Sequence, residues 1–345
     1  MKIEKKQIFT VGVTIIFIAF LIYIFKDISA QEFIGAFKLF SFKYLFWIVT
    51  LYYFTMYLRG IRWKALLMDN PKYSSWNLGA IFIVGSMLNS FLPARAGDIY
   101  RAYYLGEKEN EKKMKVFGSI ILERIQDGIS VFLILLFAVL MYCKNDPVII
   151  GATYFFGTVF IGSMITFYLI YKFNKIDFVC EKIEQIFNKL KLPKLAQVVE
   201  SINHHANSFM EGFTVLDDTK LFIKSAVMSA LIWGIEGYVA YLILASFDLA
   251  LPFSASLFVI SLISFSGMLP STSIFFGPYQ AAYLIALGIY SVSKPTILAI
   301  SLVHPVLLIA MLLAVGLYYL YKFNFSLDKI KEVQTDLEQK EESNV

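Results

Sequence analysis

The 345-residue chain carries five arginines: Arg59, Arg62, Arg95, Arg101 and Arg124. All five lie between residues 59 and 124, and every other basic side chain apart from histidine is a lysine. Lysine is a compact, strongly hydrated charge, whereas arginine is a planar fork that grips phosphate or carboxylate through two parallel hydrogen bonds. A chain that spends lysine on ordinary solvation and keeps arginine for one region concentrates oxyanion-binding capacity there. Two chemistries fit: the phosphate of a lipid headgroup, or structural ion pairs with nearby acids. The acids are present. The stretch "NSFLPARAGDIYRAYYL" (89–105) sets Asn89, Arg95, Asp98 and Arg101 around Pro93 and Gly97, and "SIILERIQDGIS" (119–130) carries Glu123, Arg124 and Asp127.

On a helix, Glu123 and Asp127 share a face at i,i+4, and Arg124 reaches Asp127 at i,i+3. The expected structural pair is Arg124 with Asp127, leaving Glu123 for Arg95 or Arg101. A further acid, Glu236, stands alone in its apolar run between Gly234 and Gly237. It reads either as a proton-coupling carboxylate or as a partner for an arginine. His304 precedes Pro305 and reads as a buried, hydrogen-bonded histidine at a kink. His204, His205, Cys143 and Cys180 have no metal-ligand spacing, and no P-loop, GxSxG, HExxH or paired-acid metal motif occurs. The expectation is no catalytic residue, no metal and no cofactor.

The elements that must position these charges are membrane helices. The chain is 58% apolar and 17% charged, with mean hydropathy +0.65, against about 45–50% and about 25% in a soluble domain. Apolar runs lie at 8–25, 44–58, 76–92, 116–142, 148–171, 221–246, 253–269, 274–290 and 296–321. The fold class is therefore an all-α polytopic membrane protein. Its net charge of +5 reports topology and not nucleic-acid binding, because Lys and Arg gather in cytoplasmic loops.

If every run crosses, the basic clusters at 95–115 and 172–224 fall outside. If 76–105 instead dips in and returns, both fall inside. The charge count selects a re-entrant hairpin with Pro93 and Gly97 near its tip. "SGMLPSTSIFFGPYQAAYL" (266–284) echoes it, with Pro270, Gly277 and Gln280, and predicts a second hairpin over 253–290 entering from the opposite face. Broken helices in matching positions of two halves point to a transport site.

The expected organisation is a first membrane half (1–171), a cytoplasmic amphipathic helix pair (172–220), a second membrane half (221–322) and a charged tail (323–345). The protein is expected in the cell (cytoplasmic) membrane with both termini cytoplasmic.

"YLRGIRWKALL" (57–67) together with the two motifs above resembles the flippase-like membrane region of lysylphosphatidylglycerol synthases and its stand-alone relatives, over about 8–322. Asp98 stands where that family usually has Glu, and Gln280 stands in a glutamate position. The resemblance implies a translocator of an anionic, aminoacylated or polyprenyl-phosphate lipid. It places Arg59 and Arg62 at the cytoplasmic interface as lipid recruiters. Arg95 and Arg101 would lie on the headgroup phosphate, supported by Asn89, Asp98, Glu123, Arg124 and Asp127. Pro270, Gly277, Gln280 and Glu236 would line the second hairpin and cavity. In full-length synthases a soluble aminoacyltransferase domain follows; the sequence given has none, so lysyl transfer is not expected. Expected partners are membrane lipids, a second copy of the chain and a separate lipid-modifying enzyme. A membrane enzyme acting on lipid-linked substrates is the alternative.

Overall fold

The computed structural model describes residues 28–92, 95–142, 147–173, 176–189, 199, 206–267 and 277–323. These form helices and no strands. Pro93, Pro270, His204, His205, Cys143, the 8–25 run and the 323–345 tail beyond Phe323 lie outside the described residues.

The helices are α1 (Ala30–Lys38), α2 (Leu45–Leu66), α3 (Ser75–Phe91), α4 (Ala96–Glu109), α5 (Lys113–Tyr142), α6 (Pro147–Lys172) and α7 (Ile176–Lys189). They continue with α8 (Ala206–Met210), α9 (Thr219–Ser246), α10 (Phe253–Ser266), α11 (Pro278–Gly288) and α12 (Lys294–Lys322). Four of them contain spans long and apolar enough to cross a bilayer: Lys113–Met141, Thr153–Lys172, Thr219–Ser246 and Lys294–Lys322. Ala30–Lys38 and Phe42–Leu66, bent by 42°, make a fifth if taken together. The chain is an all-α polytopic membrane protein.

Each helix divides its faces as a membrane bundle requires. Along α2 the buried stripe is Ile48, Tyr52, Thr55, Arg59, Arg62 and Leu66, while Phe46, Trp47, Phe54 and Tyr57 are exposed. That stripe follows the three-and-four spacing of one helical face. Because its arginines point inward, α2 continues past the apolar run 44–58, through Arg59 and Arg62, to Leu66.

Helices α2 and α9 pack antiparallel. The contacts Ser41 to Ser246, Thr55 to Glu236, Arg62 to Ser229 and Asp69 to Lys224 run in opposite senses along the two segments. Around this pair the packing maps onto itself when α2–α5 exchange with α9–α12. Helix α3 packs on α4 as α10 does on α11, α4 on α5 as α11 on α12, and α3 on α12 as α10 on α5. Two copies of one four-helix unit, entered from opposite ends, produce that pattern.

The first hairpin, α3–α4, starts and finishes at one end of the bundle. Lys72 reaches the backbone carbonyl of Glu109, Lys115 bonds Glu111 at 3.1 Å, Lys112 bonds Glu211 at 2.6 Å and Lys224 bonds Asp69 at 2.7 Å. The end of α12 arrives there too, with Phe323 against Tyr104. The second hairpin, α10–α11, opens from the far end, where α9 finishes and α12 begins. Arms of 17 and 14 residues are about 25 and 21 Å long, shorter than the hydrocarbon core of about 30 Å.

Gly97 lies inside α4 and not in a turn. A Cβ there would sit 1.8 Å from the Gly85 carbonyl oxygen, so the residue permits backbone contact between the arms. The left-handed backbone at the tip belongs to Arg95, with φ 54°. Gly97→Ala is therefore expected to lower the melting temperature in detergent by several degrees, as overpacking of about 1–3 kcal/mol does. Gly162→Ala, where a Cβ meets nothing within 4 Å, is expected to leave it unchanged or slightly raised. Equal melting of the two variants would show that the arms do not depend on this contact.

Candidate functional site: a charge-balanced cluster between the two halves

Four helices bring eight ionisable side chains together. Helix α2 supplies Arg59 and Arg62, α4 supplies Asp98 and Arg101, α5 supplies Glu123, Arg124 and Asp127, and α9 supplies Glu236. The count is four guanidiniums against four carboxylates. Arg62, Arg101 and Glu123 are 0% exposed, and Asp98, Asp127 and Arg59 are 6–7% exposed. Arg124 and Glu236 are half-buried.

The pairs interlock. Arg101 forks onto Glu123, with Nη1 to Oε1 at 3.0 Å and Nη2 to Oε2 at 2.9 Å. Arg62 forks onto Asp127 and also donates to Ser229 Oγ at 3.0 Å. Arg124 donates to Asp98 Oδ1 at 2.9 Å, and its contact with Asp127 is longer, at 3.7 Å. Arg59 donates to Glu236 Oε1 at 3.2 Å, and Trp233 Nε1 donates to Asp127 Oδ1 at 2.8 Å. Aromatic rings fill the gaps: the Arg101 guanidinium lies 4.2 Å from the Trp63 ring centre and 4.6 Å from that of Phe82. Arg59 lies 5.0 Å and Arg124 5.9 Å from the same Phe82 ring. A desolvated cation over an aromatic face is stabilised by up to about 2 kcal/mol or more.

A charge at the bilayer centre costs roughly 2.5–3.5 kcal/mol on insertion scales, and pairing within forks offsets that cost. The sequence-derived pairings shift accordingly. Asp127 takes Arg62 as its fork partner, so the closest acid to Arg124 is Asp98. Glu123 takes Arg101, as one of the two expected options. Arg59 and Arg62 are not at a lipid-facing interface; both are turned into the bundle. Asn89 ties the two hairpin arms, accepting from the Gly97 N–H at 2.8 Å and donating to Asp98 at 3.3 Å. Trp63, Phe82, Trp233 and Ser229 belong to the cluster without being marked in the sequence, because an aromatic or serine in an apolar run carries no signal of its own.

Arg95 differs from the other four. It is exposed, it caps α4 from the left-handed region, and it makes no ion pair within 4 Å among the described residues. Such backbone costs an L-residue about 1–3 kcal/mol.

The second half carries a neutral counterpart. Where Arg101 of α4 grips Glu123 of α5, Tyr283 of α11 meets Nδ1 of the buried His304 of α12. Gly277, at φ 92°, gives its N–H to Gln280 Oε1 at 2.7 Å, and Gln280 Nε2 donates to the Ser301 carbonyl at 3.3 Å. A carboxylate at position 280 could accept the first bond but not donate the second. Glu236 lies outside this hairpin, in the main cluster.

Outside the spans, burial raises Glu111, but hydrogen bonds from Tyr73 and Lys115 and the charge of Lys72 outweigh it and hold the carboxyl below its ordinary value. This pins the base of the first hairpin. Among the described residues no group of three or more His, Cys, Asp or Glu side chains could hold a metal ion.

Arg101→Ala leaves Glu123 buried without its fork and is expected to cost about 3–5 kcal/mol. Arg101→Leu combined with Glu123→Leu should recover much of that loss, since removing both charges spares the desolvation. Thermal stability in detergent checks both; a double variant no better than the single one would show that the pair is not a closed unit.

Residues 7–316 match the family described as Lysylphosphatidylglycerol synthase TM region. The UPF0104 membrane protein MJ1078 of Methanocaldococcus jannaschii is 33% identical over 138 residues, 37% of this chain. The match spans 58% of that relative's length. No solved structure matches the chain. With the family match covering both halves and the cluster between them, the chain belongs to the lysylphosphatidylglycerol synthase transmembrane-region family.

Proposed function

We propose that this protein is a lipid translocator of the cell membrane, moving a phosphate-bearing lipid between leaflets, with Arg95 as the headgroup contact. One observation carries the reading. Four arginines and four carboxylates neutralise one another in the core, with the forks of Arg62 and Arg101 filled and Arg59 and Arg124 each bonded to an acid. Arg95 is the arginine left over, held in strained backbone at the tip of a hairpin. Strain of that kind persists where surrounding structure over-determines it and is a mark of functional positions. An exposed guanidinium at the end of a 14-residue arm stands about 21 Å from the base of the hairpin. That is deep within a bilayer core of about 30 Å. Such a charge needs water or an anion, and a lipid phosphate supplies the anion with the geometry a fork accepts.

On this reading both hairpins are re-entrant and the lysine-rich end of the bundle is cytoplasmic. The segment 172–220 is an elbow on the cytoplasmic surface between the halves 1–171 and 221–322, and the exposed Phe178, Ile183 and Ile186 of α7 rest in the headgroup region. The anionic or polyprenyl-phosphate lipid is the partner, delivered or consumed by a separate lipid-modifying enzyme.

The topology has its own check. With native cysteines replaced, single cysteines at Lys72, Lys108 and Asp217 should react with an impermeant maleimide from one side of the membrane, and those at Asp248 and Ser291 from the other. Labelling of Lys72 and Lys108 from opposite sides would remove the first re-entrant hairpin, and labelling of Asp248 and Ser291 from opposite sides the second. The function is tested by leaflet exchange in proteoliposomes with headgroup-labelled phosphatidylglycerol, its lysyl ester and a polyprenyl phosphate. Arg95→Lys keeps the charge and loses the fork, and is expected to slow exchange of the preferred lipid about tenfold, the scale of one charge-assisted hydrogen bond. Expression and melting should be unchanged. Exchange at the wild-type rate in Arg95→Lys would sink the phosphate-fork role.

A further inference from the structure

Helix α12 carries a proline, Pro305, in its interior. Proline has no N–H, so the carbonyl four residues back, that of Ser301, loses its helical partner, and the pyrrolidine ring crowds it as well. Ser301, His304 and Pro305 are all buried. In a membrane core such a carbonyl needs a partner from protein or ordered water, or a local change in the winding of the helix.

The partner comes from the second hairpin. Gln280 Nε2 donates to the Ser301 carbonyl at 3.3 Å, and Gln280 Oε1 accepts the Gly277 N–H at 2.7 Å. These partners fix which way the carboxamide points, because an N–H only donates and a carbonyl only accepts. One buried side chain thus fills the break in α12 and closes the first turn of α11. Three residues on, on the same face of α11, Tyr283 Oη meets His304 Nδ1. Both bonds from α11 therefore land within one turn of the proline.

The two parts of α12 are attached differently. Beyond Pro305 the helix is tied to the first half of the molecule. The Met311 carbonyl accepts from Tyr53 Oη of α2 at 2.9 Å, Tyr319 Oη accepts from Trp76 Nε1 of α3 at 2.8 Å, and Phe323 lies against Tyr104 of α4. Met87 of α3 packs on the bare face of Gly316, where an added Cβ would lie 2.7 Å from Met87 Sδ. Before Pro305, Ser301 and His304 are bonded to α11. The proline stands at the change of partner.

We propose that Pro305 is a hinge of α12 and that Gln280 couples it to the second hairpin, so that docking of α11 and the bend of α12 are one two-state switch. With α11 docked, Gln280 takes the place of the missing N–H and α12 keeps its observed course. With α11 withdrawn, the Ser301 carbonyl is satisfied only if α12 rewinds or admits water at that turn, and either changes the bend. Gln280 is a positioning residue, since it acts through Ser301. The inference rests on the translocator reading for its use, as the moving part opposite the fixed cluster, and not for its existence.

Spin-label distances by double electron–electron resonance test this in the full chain in lipid nanodiscs. With native cysteines replaced, the labels go on the exposed Lys294 and Leu317, about 35 Å apart along a helix. The unaltered protein should give one dominant distance. Gln280→Leu removes both bonds at similar volume and should raise the population of a second distance about tenfold, the scale of two neutral hydrogen bonds. Pro305→Ala returns the N–H to the helix, so Ser301 no longer needs Gln280. Gln280→Leu made in that background should leave the distance single, whereas a loss of packing alone would show with or without the proline. Unchanged distances in Gln280→Leu, or the same second population with and without Pro305→Ala, would overturn the hinge.

Because Gln280→Leu alters a buried site, hydrogen exchange supplies a second measurement on the unaltered chain. Peptides covering 278–284 and 298–304 should open together, at least about tenfold more often than 311–320, as parts of one cooperative unit do. Exchange at 298–304 as slow as at 311–320 would overturn the proposal. Leaflet exchange absent from the unaltered protein, with the suppression by Pro305→Ala intact, would support the hinge and remove only the translocator reading.

Discussion

Everything in this fold is organised by the need to keep eight charges in a membrane without leaving any of them alone. Four arginines and four carboxylates solve it by interlocking, two as full forks and the others through shared oxygens. The solution fixes the helices. Arg62 with Asp127 holds α2 to α5, Arg101 with Glu123 holds α4 to α5, and Arg59 with Glu236 holds α2 to α9. Each pair is satisfied only if the helices stand in the observed register, so the network acts as a specification of packing as well as a source of stability. That specifying role matters because van der Waals packing and interhelical hydrogen bonds, and not hydrophobic exclusion, drive helices together in lipid.

The network also lies on the symmetry of the molecule. Arg59 and Glu236 are 177 residues apart, the offset that separates Pro93 from Pro270. They are thus corresponding positions of the two halves, on the antiparallel helix pair where the halves meet. One half offers the cation and the other the anion at the same place. A duplicated unit carrying the same charge twice there would repel itself; opposite charges turn that position into a bond.

Much of this was legible in the sequence, for identifiable reasons. The long apolar runs gave α3, α5, α6, α9 and α12 to within a few residues, because a membrane helix must be apolar over its whole length. The confinement of arginine gave the region of the cluster. Partner choice was legible only in part: Glu123 with Arg101 and Glu236 with an arginine were among the expected options, whereas the fork on Asp127 was not. Arg124 and Asp127 satisfy an i,i+3 rule, yet a fork from Arg62 on another helix takes Asp127, since tertiary geometry outranks spacing along one helix. Gly97 reads as a turn residue, but its smallness serves contact with Gly85. Helix α1 has no place among the apolar runs, although Ser29 and Glu32 form a reciprocal N-terminal cap, a signal that the runs on either side obscure.

The two hairpins are held by unlike chemistry, and the difference has an energetic order. Separating α4 from α5 breaks a buried bidentate pair, at up to about 3–5 kcal/mol, and leaves Glu123 only its longer contacts with Arg62 at 3.5 Å and Arg124 at 3.6 Å. Separating α11 from α12 breaks bonds between neutral groups, Tyr283 with His304 and Gln280 with Ser301, each with a net value of about 0.5–1.5 kcal/mol. The halves share a plan but not a stiffness. The first hairpin, which carries Arg95 at the start of its second arm, is anchored as a fixed platform. The second, anchored without charge, is the cheaper one to displace.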